Sequence, residues 1–208
     1  MSIVFPCRVG LLACVLMLVG VGCADREPTV VVGKPEPDPE TAQVDAAAPF
    51  RFTDQDGATF SSDELAGKVW LGAIFFANCP GPCFRENQAI AQILREIDDP
   101  DFMVVSLTCD PANDTPEVLR RYAERFDADK ARWKFLTGDL KEITRVGTQR
   151  FKLPVELGVH AEKGVVFDRG GKLRGGYSLT DPDRAKLLAE LIREVLAEPV
   201  KPTDGAGG

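Results

Sequence analysis

Phe75-Phe76-Ala77-Asn78-Cys79-Pro80-Gly81-Pro82-Cys83-Phe84-Arg85-Glu86 sets two cysteines, separated by three residues, where two different kinds of sequence meet. Before it, Val69 to Phe76 is a near-continuous apolar run, the pattern of a central strand covered on both faces. After it, Ile90, Ile93, Leu94 and Ile97 recur at helical spacing in a run that begins at Phe84. A strand followed at once by a helix carries both thiols to the rim where strands end. It also brings Cys83 close to a helix N-terminus, where unpaired N–H groups and the helix dipole are expected to favour the thiolate. Thiolates attack disulfides and bind soft metals, so the stretch points to one of those two chemistries.

Working outward, Phe102 to Leu107 has the composition of a second buried strand. Thr115 is placed to cap a helix whose first residue, Pro116, sits where a missing N–H costs nothing. Val118, Leu119, Tyr122 and Phe126 form its apolar stripe, Trp133 to Leu136 a short strand, and Leu140 to Phe151 a further helix. Gly164 to Asp168 and Lys172 to Tyr177 are expected to pair through a turn at Arg169-Gly170-Gly171. Asp181-Pro182 opens a last helix with Leu187, Leu188, Leu191, Val195 and Leu196 facing inward. Upstream of the cysteines, Phe50 to Thr53 and Ala58 to Phe60 flank the turn signal Asp54-Gln55-Asp56-Gly57, and Ser61 to Leu65 forms a helical turn. Alternating strands and helices imply an α/β domain with a central sheet flanked by helices. A thiol pair at the end of the first central strand and a terminal hairpin and helix make that domain thioredoxin-like, with an added N-terminal hairpin, over residues 49–198.

The chain has 208 residues, 44% of them hydrophobic, enough for one core plus appendages. Its net charge of −7 and lack of a basic cluster argue against nucleic acid as a partner. Arg8 and the apolar run to Gly22 fit a secretory leader over residues 1–23, shorter than the roughly 20 residues a membrane span needs. Gly20-Val21-Gly22-Cys23 resembles the cleavage site of bacterial lipoproteins, with Gly20 where Leu is usual, and makes Cys23 the expected lipid anchor. An uncleaved anchor is the alternative. Residues 24–48, rich in Pro, Glu and Asp, are expected to be a tether, and residues 199–208 a disordered tail. The expected location is the cell envelope, on the periplasmic side of the inner membrane.

Redox enzymes of the thioredoxin type carry two residues between their cysteines; three here loosen the pair without forbidding a disulfide. Two thiolates suit a soft ion, Cu(I) above all, and an imidazole would raise the ligand count to three. The chain has one histidine, His160, directly before the terminal hairpin. In thioredoxin-like folds the residue there faces the thiols, and in the oxidoreductases it is usually a cis-proline.

Four stretches make the sequence similar to the Sco (SenC) family, which delivers copper to the binuclear copper site of cytochrome c oxidase. They are Phe52-Thr53-Asp54-Gln55-Asp56-Gly57, Cys79-Pro80-Gly81-Pro82-Cys83, Asp110 to Leu119 (near the family's D-P-x-x-D-T-P-x-x-L), and His160 with Asp168 and Gly171 beyond. The resemblance covers about residues 50–197. It implies that Cys79, Cys83 and His160 bind copper, as Cu(I) or Cu(II), and that the partners are the copper-bearing oxidase subunit and another copper carrier. Because the family also contains thiol–disulfide reductases that prepare the oxidase's cysteines, Cys79 and Cys83 are equally the catalytic pair of that alternative. Two residues depart from the pattern: Ala161 replaces the usual Ser, and Cys109 stands where Val is more common. A peroxidase would need Thr three residues before its reactive cysteine, where Phe76 and Pro80 stand instead.

Cys109 follows a buried strand and is expected to be a core thiol; on the same rim as Cys79, it is also a candidate third sulfur or resolving thiol. Asp110 and Asp114 are expected to cap the helix and brace the loop, Arg85 and Glu86 to form a solvated first turn, and Trp133 and Tyr122 to pack.

Overall fold

A computed structural model describes residues 48–156 and 161–199. The leader, most of the tether and of the tail, and His160 lie outside the described residues, as do Cys7, Cys14 and Cys23. Among the described residues no helix is long and apolar enough to cross a membrane.

Among the described residues seven strands, β1 (Arg51–Asp54), β2 (Thr59–Ser61), β3 (Val69–Phe75), β4 (Phe102–Thr108), β5 (Trp133–Thr137), β6 (Lys163–Phe167) and β7 (Leu173–Ser178), form one sheet in the order β2-β1-β5-β4-β3-β6-β7. Its centre is parallel: β3, β4 and β5 run in one direction. Every residue of β3 and β4 is buried, as the unbroken apolar runs require of strands covered on both faces. The hairpin of β1 and β2 adds antiparallel to β5. The other hairpin, β6 and β7, adds antiparallel to β3 with Trp70 opposite Phe167 and Gly72 opposite Val165. Gly171, at φ +75°, makes the turn between them in a region that suits glycine.

Both parallel crossovers step the same way along the sheet, and right-handed connections therefore bring α1 (Cys83–Glu96) and α2 (Pro116–Glu124) to one face. Asn87 of α1 bonds the Tyr122 hydroxyl of α2 across them. The last helix, α4 (Pro182–Ala197), lies on that face too, with its Leu188 against Gly164 and its Arg193 paired to Glu96 of α1. On the opposite face α3 (Leu140–Arg145) runs into a π-helical turn, Val146–Phe151, that closes where Lys152 turns left-handed. The expected single helix over 140–151 thus changes its winding halfway. Its end lays the Phe151 ring on Gly72, beside Trp70, which stacks on Phe167 at 3.8 Å.

The caps follow the sequence signals. The Thr115 hydroxyl accepts from Val118 N–H ahead of Pro116, so Thr115 rather than Asp110 or Asp114 caps α2. Ser61 and Glu64 form a reciprocal capping box on the short 3-10 turn Ser62–Leu65. In α4 the buried stripe is Leu188, Ala189, Ile192 and Val195, while Leu187 is 39% exposed, contrary to expectation. Leu187 precedes Leu188 by about 100° of helical turn, which carries it off the face that meets the sheet.

Candidate metal and thiol site

The β3 strand ends at Phe75, and a turn closed by Cys79 N–H on the Phe76 carbonyl, at 3.3 Å, folds Cys79 back over the strand end. Gly81 N–H points at the Cys79 sulfur from 3.4 Å. Pro82 then occupies the N-cap of α1, and Cys83 is the first helical residue. The two sulfurs are not bonded to each other; Cys79 is half-buried and Cys83 is 2% exposed.

The helix N-terminus does not prevail over burial at Cys83. Its thiol is pushed far above the ordinary thiol range, first by burial and then by a hydrogen bond with Cys79, against a smaller opposing bond from the Phe76 backbone. The expected thiolate is a thiol in the metal-free protein, because taking a charge out of water outweighs a half-charge dipole.

A buried polar group surrounds Cys83. Asn87 Nδ2 donates to the Cys83 carbonyl at 2.8 Å and to Tyr122 Oη at 3.2 Å. Burial holds the Tyr122 hydroxyl above its ordinary range. Glu86, expected in solvent, is only 3% exposed, and its Oε1 has no hydrogen-bond partner among the described residues. Burial, reinforced by the charge of Glu162, raises its carboxyl from 4.5 to about 7. Arg85 is exposed as expected. The burial of Glu86 was legible only as spacing: it falls three residues after Cys83 and four before Ile90, on the stripe that meets the sheet.

Asp114 is the brace of the site. Its Oδ2 accepts from Ala77 N–H at 3.0 Å and from the Thr108 hydroxyl, tying the thiol loop to the end of β4. Burial raises its carboxyl despite these bonds. Asp110 instead accepts from Asn113 within its own loop. Cys109 directly follows β4, is 7% exposed, and donates its N–H to the Phe75 carbonyl at 2.8 Å. Its thiol is raised to about 11, mainly by burial. Trp133 and Tyr122 are buried in the aromatic core, as expected of packing residues.

The segment after His160 is tightly held. Glu162 adopts a left-handed conformation at φ +46°, its carbonyl accepts from Leu179 N–H, and its carboxylate accepts from the Thr180 hydroxyl. Because β6 is antiparallel to β3, its first residue, Lys163, lies toward the thiol end of β3. Among the described residues no three metal-ligating side chains converge. The site as described therefore supplies two sulfurs, and His160, outside the described residues, is not among the groups whose positions are known.

A parallel-centred sheet with a strand–thiol loop–helix unit and a C-terminal hairpin and helix defines a thioredoxin-like domain with a two-cysteine site on its rim. The chain belongs to the SCO1/SenC family, which its residues 38–193 match. The SCO1 protein homolog of Bacillus subtilis (strain 168) is 32% identical over 111 residues, covering 52% of this chain and 58% of that protein. Like it, the first curated relatives are matched over little more than half their length or less. The structure of BsSco, described as a member of the Sco family of cytochrome c oxidase assembly proteins with a disulfide switch, aligns at TM-score 0.65 and 25% identity, covering 71% of this chain and 91% of that one. Bradyrhizobium japonicum ScoI with copper bound aligns at TM-score 0.58 and 25% identity, over 71% of this chain and 98% of that one.

Proposed function

We propose that this protein is a membrane-tethered copper chaperone that binds one copper ion through Cys79, Cys83 and His160 and passes it to the copper-bearing subunit of cytochrome c oxidase. The observation that carries the reading is the antiparallel register of β6 on β3, with Trp70 opposite Phe167 and Gly72 opposite Val165. Followed backward from Val165, that register runs toward the end of β3, where Cys79 and Cys83 stand. The charge of Glu162, two residues after His160, is felt by Glu86, one helical turn after Cys83. Copper is bound in the Sco relative from Bradyrhizobium, and BsSco is described as belonging to oxidase assembly proteins.

Two thiolates and an imidazole form a soft, low-coordinate donor set suited to Cu(I). Each thiol must release its proton to bind, and burial holds that proton firmly on Cys83. Copper affinity therefore rises with pH. Asp114 keeps the segment that leads into Cys79 seated, while the histidine, contributed from another segment, is the ligand that can leave first when the ion is handed over. Lipidation at Cys23 and the tether of residues 24–48 would keep the domain near a membrane-bound partner.

Copper titration of reduced protein tests the assignment. His160→Ala should weaken binding by at least the roughly 10–100-fold typical of losing even an outer-shell partner. Equal affinity in the two proteins refutes it.

A second reading is favoured by the unequal exposure of the sulfurs: half-buried Cys79 is open to a partner's disulfide, and Cys83 beside it can resolve the mixed disulfide. In a thiol–disulfide reductase for partner cysteines, the Cys79–Cys83 potential would be low and His160→Ala would leave reduction intact.

A further inference from the structure

Among the described residues three cysteines, not two, follow the ends of β3 and β4. These strands are parallel neighbours in register, with Phe75 opposite Thr108, and the next residue on β4 is Cys109. Its N–H bonds the Phe75 carbonyl at 2.8 Å, continuing the ladder one step past the strand. From the other side, Cys79 N–H closes a turn onto the carbonyl of Phe76, the residue that follows the same strand end. Asp114 then fastens the two ends together, holding Ala77 N–H and the Thr108 hydroxyl on one oxygen. Neighbouring strands lie about 4.8 Å apart, which sets Cys109 beside Phe76, the residue onto whose carbonyl Cys79 N–H turns back; a disulfide spans roughly 4.4–6.8 Å between Cα atoms.

We propose that Cys109 is a third redox thiol of this site, able to take Cys79 from Cys83 by disulfide exchange. The inference rests on the proposed function only in needing Cys79 and Cys83 to be a working pair. A low-molecular-weight disulfide first oxidises that pair. The Cys109 thiolate then attacks the Cys79 sulfur; a Cys79–Cys109 bond forms, the Cys79–Cys83 bond breaks, and Cys83 leaves as a thiolate that takes up the proton Cys109 gave. No net oxidation accompanies the exchange. Its product withholds one of the two sulfurs from a metal while keeping Cys83 reduced, and so gives the site a second oxidised state. A bridge between residues 79 and 109 also closes a much longer loop than one between 79 and 83, and constrains the unfolded chain more. Because burial keeps Cys109 protonated at neutral pH, the exchange is slow, and its equilibrium product is the quantity to measure.

The test uses the full chain in detergent, carrying Cys83→Ser, equilibrated with oxidised and reduced glutathione, alkylated, digested with trypsin and mapped by mass spectrometry. The expected product is a cross-link between the tryptic peptides of residues 69–85 and 96–120, lost when Cys109→Ser is added. Cys83→Ala gives the same cross-link should the serine variant fold poorly, and oxidised wild-type protein contains a fraction with Cys83 alkylated and Cys109 protected. Glutathione on Cys79 together with fully alkylated Cys109, in the variants and the wild type alike, overturns the proposal. Copper titration of Cys109→Ser separates the two readings: unchanged affinity leaves the metal site standing whichever way the cross-link falls.

Discussion

Replacing Glu86 with Gln is expected to stabilise the reduced protein at pH 8 and to change it little at pH 4.5. Glu86 is 3% exposed and its carboxyl is raised from 4.5 to about 7, by burial first and by the charge of Glu162 second. The unfolded chain loses this proton near 4.5, whereas the folded protein keeps it until about 7. Between those values the native state binds more protons, so stability falls as pH rises and stays at its lower level above 7. At about 1.36 kcal/mol per pH unit, the full shift corresponds to about 3 kcal/mol as an upper bound. Water penetration and relaxation around a buried carboxylate reduce this to about 1–3 kcal/mol. Gln keeps the shape and removes the charge, so Glu86→Gln abolishes this part of the pH dependence. Urea unfolding of both proteins under reductant, from pH 4.5 to 8, should show midpoints that diverge as pH rises, with unchanged slopes. Glu162→Gln should give a smaller change of the same sign, since it removes only the secondary cause. Parallel midpoint curves for wild type and Glu86→Gln would refute the assignment of a charged, buried Glu86 at neutral pH.

Two further perturbations test what holds the site in place. Asp114→Ala leaves Ala77 N–H and the Thr108 hydroxyl without their shared acceptor, and should cost about 2–3 kcal/mol in urea unfolding. The same change should weaken copper binding, because the thiol loop loses its tie to β4; full affinity in a folded variant would show that Asp114 braces only the fold. Gly72→Ala puts a methyl 3.0 Å from the Phe151 ring, which Trp70 and Phe167 hold at 5.6 and 5.9 Å, and should cost about 1–3 kcal/mol through overpacking. A denaturation midpoint equal to wild type would mean that the ring yields freely.

The chain's local instructions were open to reading because they act through near neighbours. The apolar runs of Val69 to Phe76 and Phe102 to Leu107, the cap at Thr115 before Pro116, and the Gly170-Gly171 turn each constrain backbone dihedrals or burial over a few residues. From them came the order of strands and helices, the thioredoxin-like architecture and the two-thiol loop at a strand–helix junction. The winding change at Val146 was not legible, because a π turn has the same composition as the α-helix it interrupts. Nor was the face of Leu187, which depends on which side of α4 meets the sheet.

What only the tertiary structure decided is the electrostatics of the rim. Sequence put Cys83 at a helix N-terminus and so favoured a thiolate; the packing of α1 and α2 against the sheet buried it and reversed the sign. Glu86 passed for a solvated residue until the fold enclosed it, whereas Cys109 is the buried thiol expected, tied to the end of β3 by the pairing of β4. Periodicity is carried by neighbours along the chain, whereas the cost of a charge depends on every group and every water within several ångströms. Those surroundings exist only once residues far apart in sequence have come together.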